Sequence, residues 1–126
     1  MHATYYLDYN ITGEPVCAPN VTDFRKCYQE CRNLTGNAVC GNKVTNAYRT
    51  YYNCTNLNGT AYVGDSIAAG EAGYNQMFYN CCNFTAIYLN AANIASFFVT
   101  AFGGNTVGNL NNVRQITVGE GCNISA

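Results

Sequence analysis

The chain has 126 residues, room for one domain and too little for two of ordinary size. With 10% charged residues and a formal net charge of -1, it offers no basic field for phosphate backbones, which argues against a nucleic-acid partner. The single histidine is His2, so neither a histidine-based nucleophile nor a Cys/His zinc set has its parts, and no catalysis, metal or cofactor is expected.

In chain order, Ala3, Tyr5, Leu7, Tyr9 and Ile11 alternate with Thr4, Tyr6, Asp8 and Asn10. This period of two predicts a half-buried strand, ended by the turn chemistry of Gly13-Glu14-Pro15. From residue 22 the period changes to 3.6. Phe24, Cys27, Tyr28, Cys31 and Leu34 share one face, with Thr22 as N-cap and Gly36 just past the end, which predicts a helix. Residues 43–55 fit either period, and Asn58-Gly59 reads as a tight turn.

A second helix is expected from Asp65 or Ser66 to about Cys82, weakened by Gly70 and Gly73 at about 1 kcal/mol each. A third is expected over 84–102, where Phe84, Ile87, Tyr88, Ala91, Ile94, Ala95, Phe98 and Phe102 recur at helical spacing before Gly103-Gly104. Residues 113–118 are β-prone, and no internal repeat or linker is apparent. These elements sum to one α+β domain over 1–126, disulfide-stapled, with two or three helices and strands at both termini. The alternative is a mainly α domain.

Eight cysteines, at Cys17, Cys27, Cys31, Cys40, Cys54, Cys81, Cys82 and Cys122, form an even set spread along the chain, as in a disulfide framework made in an oxidising compartment. Four disulfides are expected, with adjacent Cys81 and Cys82 bridging two different segments. The acceptor pattern Asn-x-Ser/Thr occurs at Asn10, Asn20, Asn33, Asn53, Asn58, Asn83 and Asn123, against about two expected by chance from the composition. Covalent N-glycans would also hydrate a surface poor in charge. Both signals point to a secreted, extracellular or cell-surface glycoprotein. No secretory leader is visible after Met1, as expected of a processed chain, and 84–102 is interrupted by Asn90 and Asn93, so no membrane span is expected.

Asp8, Glu14, Asp23, Glu30, Asp65, Glu71 and Glu120 read as solvated surface acids rather than a glycosidase pair. Tyr5, Tyr6, Tyr48, Tyr51 and Tyr52 suit either core packing or stacking on a sugar. No charged residue occurs from 72 to 113, a run fit for a core or for a surface buried against copies of the chain. The expected role is a structural glycoprotein that self-assembles into a fibre, coat or matrix. Tyr5, Leu7, Tyr9 and Ile11 would contribute as residues 1–12 form a donated or edge strand. The alternative is a monomeric secreted binding module or effector, recognising carbohydrate or a receptor through exposed tyrosines.

Overall fold

The computed structural model describes residues 4–64, 67, 73–90, 97–103 and 109–120. Its elements are β1 (Thr60–Val63), β2 (Ala86–Leu89), α1 (Phe97–Phe102) and β3 (Gln115–Val118). The three strands form one sheet in the order β1-β2-β3, and both pairings are parallel: Ala61 opposes Ile87, which opposes Ile116, and Val63 opposes Leu89, which opposes Val118. Isolated parallel bridges, Asp23 to Asn46 and Ala38 to Ala61, extend the same stacking toward the N-terminus.

Parallel neighbours require the chain to travel back to its starting side between strands. Among the described residues it does so mainly through runs of tight turns. Cys27, Gln29 and Cys31 donate their amides to the carbonyls of Phe24, Lys26 and Tyr28, three residues back. The intervening amides, of Phe24, Lys26, Tyr28 and Glu30, donate to Asn46, Tyr48, Thr50 and Tyr52 one coil further on. The next coil repeats the pattern, with Ala47, Arg49, Tyr51 and Asn53 donating to Gly73, Asn75, Met77 and Tyr79. Each of these turn amides thus has a partner either within its own turn or in the following coil, while on the strand side Gly59, Tyr62 and Asn90 donate to the preceding one. The molecule is a stack of coils, a small solenoid.

Two backbone positions per coil are left-handed. One holds Leu7, Glu30, Asn53 and Asn80; the other holds Lys26, Arg49 and Gln76, all at φ between 53° and 67°. Asparagine tolerates this conformation best of the non-glycine residues, which suits positions 53 and 80.

The core is built in columns that run along the stack. Tyr5, Tyr28, Tyr51, Phe78 and Phe102 follow one another at steps of 23, 23, 27 and 24 residues, with ring centroids 5.2, 5.6, 6.0 and 5.5 Å apart. Inside its coil, the Tyr28 hydroxyl donates to the Val16 carbonyl at 2.8 Å and the Tyr51 hydroxyl to the Val39 carbonyl at 2.6 Å, so each ring ties the two sides together. The single hydroxyl proton of buried Thr50 is shared between the Phe24 carbonyl at 2.7 Å and the Ala47 carbonyl at 2.9 Å.

The sequence-based fold class is therefore corrected: the chain is sheet-like, with three parallel strands and one short helix among the described residues, and is neither α+β with two or three helices nor mainly α. The expected helix over 22–36 is a run of turns, because the left-handed Lys26 and Glu30 are incompatible with helical continuation. Its predicted inner face is nonetheless the buried one: Phe24, Cys27, Tyr28, Cys31 and Leu34 are all 0–1% exposed. Within the expected 65–82 helix, residues 73–80 form turns, and 65, 66 and 68–72 lie outside the described residues. The expected 84–102 helix divides into β2 and α1, with 91–96 outside the described residues. The N-terminal strand is also replaced by turns, whereas β3 falls where a C-terminal strand was expected. Contrary to the expected absence of a repeat, an internal repeat organises the described residues.

Candidate interaction surfaces

The cysteines that suggested a disulfide framework occupy repeat positions. Cys31, Cys54 and Cys81 stand 23 and 27 residues apart, and their thiols donate to the carbonyls of Tyr5, Tyr28 and Tyr51, one coil back, at 2.9, 3.0 and 2.9 Å. Burial holds these thiols neutral, pushing Cys31 up to about 11 and Cys54 and Cys81 further up. Cys27 is buried and Cys17, Cys40 and Cys82 are half-buried; none of the seven described cysteines forms a disulfide. Cys122 lies outside the described residues. The expected stapling, including separate bridges from Cys81 and Cys82, is thus not found among the described residues, where Cys31, Cys54 and Cys81 form a column of buried thiols that serve as small apolar fillers and weak donors.

The acceptor asparagines sort in the same way. Asn10, Asn33 and Asn83 share one turn position, which Asn56 fills in the coil between. The Asn33 side-chain amide donates to the Tyr9 carbonyl at 2.6 Å and that of Asn83 to the Thr55 carbonyl at 2.7 Å, each reaching the residue just before the equivalent asparagine one coil back. Asn53 donates to Glu30 and accepts from Asn80, extending a polar line that continues from Glu30 to Arg32. The Asn58 side-chain oxygen accepts from the Gly36 amide, and that of Asn20 from Lys43. Asn123 lies outside the described residues. Three of the seven triplets, at Asn10, Asn33 and Asn83, are copies of one repeat position, which leaves five independent positions against about two expected by chance.

The tyrosines divide between core and surface. Tyr51 is fully buried and offers no face to a sugar, and half-buried Tyr5 has one face taken up by stacking on Tyr28. On the lateral surface, Tyr52 and Tyr79 stack on each other at 4.5 Å and 7°, and the Arg49 guanidinium lies over Tyr48 at 5.2 Å and Tyr52 at 5.0 Å. Such a ladder shows solvent its ring edges and hydroxyls rather than its faces, which disfavours sugar stacking along it. Next to it, Tyr79, Asn80, Phe102 and Asn109 line a recess of about 210 Å³.

The first and last described coils differ from those between. The exposed large apolar residues are Tyr6, Leu7, Tyr9 and Val16, at side positions of the first described coil, and Val99, Ile116 and Val118 in the last; among the described residues the middle coils have none. In β1 and β2 the inward positions Ala61, Val63, Ile87 and Leu89 are 0–1% exposed, while their continuations in β3, Ile116 and Val118, are 50% and 41% exposed. These residues point along the core columns but have no following coil on them among the described residues. Of the expected assembly residues, Leu7 and Tyr9 are exposed, whereas Tyr5 and Ile11 pack against the core. The Tyr5 and Leu7 amides donate within the chain, to Cys27 and Gln29, so this segment is a coil of its own stack rather than a free strand.

No described helix is long and apolar enough to cross a membrane. Comparison with protein-family models, curated proteins and solved structures found no match.

Proposed function

We propose that the chain is a structural repeat protein that assembles end to end into a fibre, coat or matrix. The observation that carries this reading is the uncovered β3, whose core-facing Ile116 and Val118 are half-exposed where the equivalent residues one coil back are buried. Uncovered inward positions beside a strand edge that has no partner among the described residues favour addition of another coil, because apolar burial and backbone pairing are gained together. Assembly outside the cell rests on the exposed acceptor asparagines Asn10, Asn20, Asn33 and Asn58; the cysteines lend it no support.

Sedimentation velocity from about 1 to 100 µM, a range in which an interface of modest area assembles, is expected to show growth into species larger than dimers. Lysine at both positions, Ile116→Lys with Val118→Lys, is expected to raise the dissociation constant at least roughly tenfold. The circular dichroism of the subunit should remain unchanged, since both side chains already face solvent. A wild-type chain that stays monomeric throughout overturns the reading. The lateral Tyr48, Arg49, Tyr52 and Tyr79 ladder of a monomeric binding module would then take its place.

A further inference from the structure

Resting on end-to-end assembly, we propose that the occupant of the open β3 edge is the first coil of a second copy. It stacks in parallel and in the register that continues the core columns. Three observations lead there. First, the coil-on-coil contact is already repeated within the chain, and its columns reach both ends. Val16 and Val39 occupy equivalent places, since each accepts the hydroxyl proton of the tyrosine across its own coil. Val39 adjoins Ala38, which bridges Ala61, and the column continues through Tyr62 and Tyr88 to Thr117. By the same register Pro15 belongs to the column of Ile116, and Cys17 to that of Val118.

Second, the coils pair in parallel, and apart from Thr45 and Asn46, which donate back to Thr22, the turn-side backbone bonds between coils run one way. Tyr5 and Leu7 donate to Cys27 and Gln29, Phe24 to Asn46, Ala47 to Gly73 and Gln76 to Thr100, in each case from the earlier coil to the later. The two ends are therefore chemically different, and copies join head to tail rather than about a two-fold axis, which gives an open filament. Third, in the last described coil the core-facing Ile116 and Val118 are 50% and 41% exposed, and in the first described coil exposed Val16 stands between buried Pro15 and half-buried Cys17. In the joined state Ile116 and Val118 of one copy lie against Pro15 and Cys17 of the next, as Ala61 and Val63 lie against Ile87 and Leu89 within the chain.

The test is photo-crosslinking of the full chain with benzoylphenylalanine at position 118, in a mixture of isotopically light and heavy copies, followed by mass spectrometry of the joined peptides. Crosslinks between light and heavy chains that land on residues 14–18 are the expected result, and the same probe at position 62, inside the stack, is expected to give intrachain products only. Interchain crosslinks to 115–118 would mean a two-fold, edge-to-edge contact and overturn the proposal, as would crosslinks to any other part of the partner. If sedimentation shows assembly while the crosslinks land elsewhere, this register falls and end-to-end assembly survives. If Val118 reacts only within its own chain and no assembly is seen, both fall.

Discussion

Phe78→Ala is expected to cost about 3–5 kcal/mol, a large share of the stability of a domain this size. Phe78 is fully buried in the ring column, against Tyr51 at 6.0 Å, Phe102 at 5.5 Å and, edge-on, Phe84 at 5.3 Å. Its removal leaves a gap in the column that joins the coils on either side. The backbone carries the coil's own turns and its pairing to both neighbours, so the gap cannot close without breaking hydrogen bonds. Urea unfolding followed by tyrosine fluorescence checks the value. Tyr52→Ala, which truncates a half-buried ring of the lateral ladder, should cost far less. Equal losses at the two positions would mean that the column is not the core.

Gly59→Ala is the second large effect, expected near 3 kcal/mol, the upper end for overpacking. A Cβ at Gly59 would stand 2.9 Å from the Gly36 carbonyl carbon and 3.0 Å from the Asn37 nitrogen. Both atoms are backbone of the preceding coil and have no rotamer in which to retreat. The Gly59 amide also donates to the Gly36 carbonyl at 2.8 Å, so the substitution pushes apart two coils at a point where they are bonded. Gly13→Ala is the control. Nothing lies within 4 Å of its Cβ site, and the only penalty is its left-handed φ of 83°, about 1 kcal/mol. Amide exchange at residues 59–61 should accelerate in Gly59→Ala and not in Gly13→Ala; the reverse order would contradict this coil spacing.

The core was more legible in the sequence than the path of the chain through it. Phe24, Cys27, Tyr28, Cys31 and Leu34 were read as one inner face and are buried, but the steps of three and four residues that suggest a helix also arise from overlapping turns. What separates the two is the left-handed backbone at Lys26 and Glu30, for which neither residue type gives a signal. The alternation over 3–11 likewise reflects inner and outer positions of a coil with left-handed Leu7, not a strand.

The repeat itself was visible in principle. Tyr28, Cys31, Asn33, Leu34 and Gly36 recur 23 residues later as Tyr51, Cys54, Asn56, Leu57 and Gly59. It was obscured because the next step lengthens to 27 and the residue types drift, with Phe78 for Tyr51 and Phe84 for Leu57. Cys31, Cys54 and Cys81, and the acceptor asparagines Asn10, Asn33 and Asn83, are each copies of one position, so they weigh less as independent compartment signals than their number suggests. Copies of one repeat position are not independent. Ile116 and Val118 carry no signal as site residues in the sequence, since their exposure follows from having no further coil on them among the described residues.

The stack of parallel coils is tested most directly by distance. Val39, Tyr62, Tyr88 and Thr117 are outward positions of four successive coils, each half-buried or exposed. Spin labels carried on non-cysteine amino acids should give backbone separations of about 5, 10 and 14 Å for the pairs 39/62, 39/88 and 39/117, one inter-strand spacing per coil. Separations that rise by equal steps with coil number are the predicted result. A 39/117 distance as short as 39/62, or steps unrelated to coil number, would contradict the solenoid and every assignment built on it.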